Sequence, residues 1–156
     1  MILKIFNNVL KNPDAYVEQI LKNGFEDITI GTDVFKSVKQ RHNDEISNFI
    51  LDKFPNYKIN LNFVRQSPKN QVEPNFIHKD DMMGEVTVIT YLNKYPAKKD
   101  GTTLYDDKLK PMCILNADYN RTVAFDSFFN HSRNIYENYG ENNLSRLIQV
   151  TFISKI

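Results

Sequence analysis

The spacing of apolar and polar positions splits the chain into an early helical part and a later part built from strands. Residues 2–6 (Ile-Leu-Lys-Ile-Phe) predict a short strand. Asn12-Pro13-Asp14 then has the form of a helix start: an N-cap side chain, a proline in the first turn and an acid near the positive end of the helix. Tyr16 and Ile20, and Val17 and Leu21, are apolar pairs four residues apart, and Gly24 is a natural stop. A second helix is predicted over about 42–54, with Ile46, Phe49, Ile50 and Phe54 on one face and Pro55 following. Both helices are expected to buttress a sheet. His42, near the start of the second, is read as a surface residue.

From residue 57 the period changes. Residues 57–65 alternate loosely, and 66–74, with two prolines and several polar residues, predict a loop. Residues 76–80 predict a short strand, and 85–92 (Glu-Val-Thr-Val-Ile-Thr-Tyr-Leu) a strong β-branched one. A polar turn over 93–100 is followed by short strands at 101–105, 113–116, 122–126 and 146–153. Many short strands separated by turns point to a β-sandwich or jelly roll. The expected class is α+β, mainly β, with N-terminal buttressing helices. Without internal repeats or a linker-like tract, residues 1–156 are expected to form one domain.

Composition narrows the functional classes. A chain of 156 residues, 41% hydrophobic and 25% charged, suits one globular core. A formal charge of +1 gives no general attraction to nucleic acid or anionic membrane. No apolar run approaches the ~20 residues of a membrane helix, and the apolar N-terminus is too short and wrongly flanked for a signal peptide. The lone Cys113 rules out an internal disulfide framework and a multi-thiolate zinc cage, and fits a reducing cytosol. A cytoplasmic location is therefore expected. The heavy use of Asn and Lys suggests an AT-rich genome, for which a viral source is one explanation.

The candidate chemistry centres on His78-Lys79-Asp80. On an extended strand, residues two apart point to the same side, so an imidazole and a carboxylate can grip one metal ion. His131 is available as a third ligand, and two histidines with one carboxylate make the facial triad of non-haem Fe(II) oxygenases. The triplet alone is weak, since an exposed His-Lys-Asp-Asp turn without metal is the default for such a motif, and an isolated His131 would be a structural histidine.

The residues around the triplet resemble the 2-oxoglutarate/Fe(II)-dependent oxygenases, in particular the prolyl-4-hydroxylase-like branch. His78-Lys79-Asp80 resembles the first two ligands of that family. Thr87-Val88-Ile89-Thr90-Tyr91-Leu92-Asn93 resembles the strand whose tyrosine reaches the cosubstrate. Asp100-Gly101-Thr102-Thr103-Leu104 resembles a Gly-Gly-x-Thr/Leu turn with one glycine missing. Asn120–Phe125 and Asp126-Ser127 lead into His131 like the strand before the distal histidine. Arg146, opening Arg-Leu-Ile-Gln-Val-Thr-Phe, resembles the basic residue for the far carboxylate of 2-oxoglutarate. The resemblance covers roughly 60–156. Arg146 follows His131 by 15 positions, several more than is usual, and 138–143 read as an inserted loop.

The resemblance implies a double-stranded β-helix with His78, Asp80 and His131 on Fe(II). It also implies Arg146, Tyr91 and Thr87 at 2-oxoglutarate, O₂ as co-reactant, and succinate and CO₂ as coproducts. The alternative for Arg146 is an ordinary salt bridge to one of the chain's own acids; for Tyr91 it is a plain core tyrosine. The nucleic-acid demethylases of the family carry a second arginine six positions after the first. Here that position is Phe152, and no basic, aromatic-interleaved cluster marks a nucleic-acid groove. The expected substrate is a protein or peptide side chain, with proline a candidate. The alternatives are a small metabolite or free nucleobase, and a catalytically silent jelly roll used for binding or assembly. Loops 66–75 and 132–143, the latter with Tyr136 and Tyr139, are the expected walls of the mouth.

Overall fold

The computed structural model describes residues 1–74 and 76–156; Asn75, the last residue of the first predicted mouth loop, lies outside the described residues. In chain order the elements are β1 (Leu3–Phe6), α1 (Pro13–Leu21), β2 (Glu26–Ile30), β3 (Asp33–Gln40), α2 (Glu45–Lys53) and β4 (Tyr57–Ser67). There follow β5 (Val86–Tyr91), β6 (Gly101–Tyr105), β7 (Pro111–Asn116), β8 (Arg121–Asp126), β9 (Asn130–Arg133), a 3₁₀ turn (Asn142–Leu144) and β10 (Arg146–Lys155).

Among the described residues, seven strands form a large sheet in the order β1-β8-β5-β10-β4-β3-β2, and three form a small sheet, β7-β6-β9. Neighbouring strands pair antiparallel throughout. The two sheets make the jelly roll, and the helices cover the outer face of the large one. No helix among the described residues is long and apolar enough to cross a membrane.

The period-2 alternation of each strand sorts its residues between two cores. Val86 and Val88 of β5, Val64 of β4, Ala124 of β8, and Leu147 and Ile153 of β10 pack against Ile20, Ile46 and Ile50 of the helices. Ile89 and Tyr91 of β5, with Val123 and Phe125 of β8, face inward onto Leu104 and Leu115 of the small sheet. β5 is buried at every position, Thr87 and Thr90 included, which is why it reads as a β-branched run with no exposed polar face. A polar network crosses the helix-side core: Tyr16 donates to Gln149 Oε1 (2.6 Å), and Gln149 and Thr151 both donate to Asn62 Oδ1 (2.9 and 3.0 Å). Asn62 in turn donates to Ser47 Oγ (2.6 Å).

The first helix starts as predicted, with Asn12 Oδ1 accepting from Ala15 N (3.1 Å) and Pro13 in the first turn. The second begins later than predicted, at Glu45, because Asp44 is its cap and is extended (φ −91°, ψ 175°) while accepting from Ser47 N (2.7 Å). The hairpin β2–β3 was not predicted; it lies at a sheet edge, is largely exposed and lacks clean alternation. The predicted strand over 76–80 shrinks to a single bridge between His78 and His131. Met83 N already turns back to Asp80 O (2.8 Å), which ends the extended run.

Candidate metal centre

That bridge is what brings the histidines together. His78 N donates to His131 O (3.0 Å) and His131 N to His78 O (2.8 Å), a directly opposed antiparallel pair. The two rings lie 4.4 Å apart between centroids. His131 belongs to β9, whose sequence Asn-His-Ser-Arg carries no apolar signal and which was not foreseen as a strand. Asp80 swings in beside them, its amide held by Ser127 O (3.0 Å). One ligand atom from each of His78, Asp80 and His131 lies within 4.8 Å of the others. His42 is exposed ahead of α2, as expected.

Each imidazole Nδ1 lies 3.0 Å from a backbone carbonyl two residues earlier, Phe76 O for His78 and Phe129 O for His131. A ring nitrogen beside a carbonyl donates its proton there, which leaves Nε2 with the lone pair. Both Nε2 atoms face Asp80: His78 Nε2 is 3.4 Å from Oδ1 and His131 Nε2 is 3.1 Å from Oδ2. Lone pairs of two neutral imidazoles against a carboxylate repel unless a proton or a cation stands between them. Two imidazoles and one carboxylate suit iron, so the donors present fit the ion.

Burial pushes the Asp80 carboxyl up, but its bonds to His131 and His78 outweigh this and hold it well below the usual carboxylate range. Burial pushes His78 down, and the bonds to Asp80 and to the Phe76 carbonyl reverse this, leaving it above the ordinary imidazole value. Thr87 Oγ1 donates to Asp80 Oδ2 (3.1 Å) and pairs with Ser127 Oγ (2.9 Å). The hydroxyl expected at the cosubstrate therefore steadies a candidate metal ligand, while its side chain still lines the cavity.

The three donors open onto a cavity of about 150 Å³. Ile89, Ile148, Val150 and Phe152 give it apolar walls, and Arg65, Arg133 and Arg146 also line it. Arg146 makes the salt bridge to an acid of the chain that was the alternative reading for it. Its Nε donates to Asp100 Oδ2 and Oδ1 (3.0 and 3.2 Å) in a pair whose side chains are 4% and 1% exposed. Arg146 still lines the cavity. Tyr91 is set back from it. Its hydroxyl is 2.7 Å from Thr102 Oγ1, and burial pushes it up to about 12. Thr102, not Tyr91, reaches the cavity, because β6 lies across the tip of the tyrosine.

The two mouth loops are tied to each other. Asn138 Nδ2 donates to Gln71 O (2.8 Å) and Glu73 Oε1 (3.1 Å), Lys69 N to Gly140 O (2.9 Å), and Arg65 Nη2 lies 3.1 Å from Glu73 Oε2. Sequence reasoning missed Arg65, Glu73, Asp100, Thr102 and Ser127. Asp100, Thr102 and Ser127 stood inside motifs of the resemblance without a role of their own, and Arg65 carried a signal as a basic residue two positions from Phe63 on the inward face of β4.

No protein-family sequence model matches the chain, and neither does any curated protein. Solved structures do. An oxidoreductase of the 2OG-Fe(II) oxygenase family from Burkholderia pseudomallei superposes with a TM-score of 0.64 at 15% identity, covering 97% of this chain and 85% of that one. The viral collagen prolyl hydroxylase of Paramecium Bursaria Chlorella virus-1 gives 0.63 at 13% identity, over 99% and 90%. HygX from Streptomyces hygroscopicus, with nickel, 2-oxoglutarate and hygromycin B bound, gives 0.58 at 8% identity, over 97% and 82%. The double-stranded β-helix of this chain is the fold of the 2-oxoglutarate/Fe(II)-dependent oxygenases, prolyl hydroxylase included.

Proposed function

We propose that the chain is a 2-oxoglutarate- and Fe(II)-dependent dioxygenase that hydroxylates a protein or peptide side chain, with proline a candidate. The observation that carries this reading is the convergence of His78 Nε2, Asp80 Oδ and His131 Nε2 at the end of a small, arginine-lined cavity. His78, Asp80 and His131 would hold the iron, with Thr87 keeping Asp80 in place. When bound, iron and 2-oxoglutarate supply an oxidation in which O₂ gives one oxygen atom to a substrate C–H bond, making C–OH. The other atom goes to succinate as CO₂ leaves. Arg146 would take the far carboxylate of 2-oxoglutarate: Nε is on Asp100, while the end-on pair of Nη groups offers the parallel N–H fork that matches a carboxylate. The apolar walls would keep water from the reacting centre.

The peptide substrate is supported by the likeness to the viral collagen prolyl hydroxylase and by exposed aromatic rings near the mouth, Phe76 (57%) and Tyr136 (49%). A small-molecule substrate is the second reading, supported by the likeness to HygX. Anaerobic addition of Fe(II) and 2-oxoglutarate tests the reaction class: a visible charge-transfer band from the chelate is expected, and its absence overturns the assignment. Succinate release on a peptide library, compared with a panel of small metabolites, separates the two substrates. No succinate with either favours a silent binding module.

A further inference from the structure

The arginine that borders the cavity is held by two residues from separate parts of the chain. Asp100 stands at the foot of β6 and is 3% exposed. Its Oδ1 and Oδ2 both accept from Arg146 Nε, Oδ1 also accepts from Gly101 N (2.7 Å), and Oδ2 accepts from the Tyr139 hydroxyl (2.9 Å). Tyr139 lies in the long connection between β9 and β10. Its carbonyl accepts from Arg146 N (3.3 Å), and its hydroxyl also reaches Asn93 Oδ1 (3.3 Å). Asp100 engages only the Nε side of the guanidinium, and among the described residues no hydrogen bond is made by either Nη group.

The backbone next to both holders is built for the purpose. Gly101 follows Asp100 at φ +149°, where an added Cβ would stand 1.9 Å from Leu115 O. Gly140 follows Tyr139 at φ +72°, where an added Cβ would stand 1.9 Å from Leu144 O. Two tight turns that admit only glycine thus deliver a carboxylate to Arg146 and a phenol to that carboxylate.

We propose that Asp100 and Tyr139 are positioning residues that aim the Nη edge of Arg146 into the cavity, so that the connection between β9 and β10 is part of the site for a ligand's distal carboxylate. This rests on the reading of the cavity as a 2-oxoglutarate site. A guanidinium pinned on its Nε side cannot rotate about its long stem, so its remaining fork is presented in one orientation. The tyrosine fixes the carboxylate that does the pinning.

The test uses two variants that leave net charge unchanged, so that orientation is read apart from electrostatics. Tyr139→Phe removes one neutral donor, and Asp100→Glu moves the carboxylate by a methylene. Each protein, loaded anaerobically with Fe(II), is titrated with 2-oxoglutarate and with 2-oxovalerate, which lacks the distal carboxylate. Wild type is expected to prefer 2-oxoglutarate. That preference should fall roughly three- to tenfold in Tyr139→Phe and about tenfold or more in Asp100→Glu, with 2-oxovalerate and iron binding unchanged. A merely structural role would weaken both keto acids together, and that result overturns the inference, as does an unaltered preference. If Asp100→Glu does not fold, Tyr139→Phe alone decides. Wild type that binds neither keto acid overturns the cosubstrate reading itself, and this inference with it.

Discussion

At the scale of single residues, the candidate centre brings together three side chains with distinct supports. His78 and His131 are oriented by carbonyls of their own chain, and Asp80 by Ser127 and Thr87. His78→Ala and Asp80→Ala should each abolish stoichiometric Fe(II) binding with the fold intact, read by anaerobic metal titration beside circular dichroism. Tight iron retained in both would remove the facial triad. Thr87→Val, which keeps the shape and loses the donor to Asp80, should weaken iron by about tenfold, at the low end of what such supporting groups contribute. Arg146→Ala should raise the 2-oxoglutarate constant by roughly thirtyfold or more while iron stays, since truncating one partner of a charge-assisted pair costs about 2–5 kcal/mol. Arg146→Lys should fall between. The alanine variant also leaves Asp100 buried without its cation, so a lower melting temperature is expected alongside. Wild-type 2-oxoglutarate affinity in Arg146→Ala would move the anion site towards Arg65 or Arg133, both on the cavity; Arg121, engaged with Asp118 and Asn7, lies outside it.

At the scale of elements, the described parts of the loops over 66–75 and 132–143 are cross-linked by Asn138, through Gln71 and Glu73, and by the Lys69–Gly140 bond. They rest on few apolar contacts and many surface hydrogen bonds, the signature of a locally soft segment. Hydrogen exchange in both should slow when the true substrate is added. Asn138→Ala should speed it in both loops at once, and a change confined to one loop would show that they move independently. The strand that was expected over 76–80 is the counterpart of this softness. One bridge at His78 gives the two imidazoles their spacing and leaves Asp80 free to turn inward.

At the scale of the molecule, the donors come from distant stretches of the chain that meet only in the folded state, so ligands that bind them should stabilise the whole fold. At a hundred times the dissociation constant the linkage is about 2.7 kcal/mol, which for a chain of this size raises the melting temperature by roughly 5–10 °C. Differential scanning fluorimetry with Fe(II) and 2-oxoglutarate under nitrogen should show this, and Asp80→Ala should not. A shift of equal size in Asp80→Ala would place the ligand elsewhere.

The sequence by itself determined the helices, the buried strands and the candidate ligands, because each of these is written in local spacing. The i,i+4 pairs of α1, the β-branched run of β5 and the His-x-Asp triplet need only near neighbours to be read. Tertiary structure alone decided how those candidates are used. His131 sits on a strand with no apolar code and becomes a partner of His78 through backbone pairing at the free edge of the small sheet. Thr87 faces Asp80, and Tyr91 ends on Thr102, because the small sheet closes over β5. Asp100 was read only as part of a turn and Tyr139 only as part of a loop at the mouth, since burial of a polar group is a property of what folds over it. Asp100 pins Arg146 and Tyr139 pins Asp100, so the turn before β6 and the long β9–β10 connection, 39 residues apart in sequence, meet at one carboxylate.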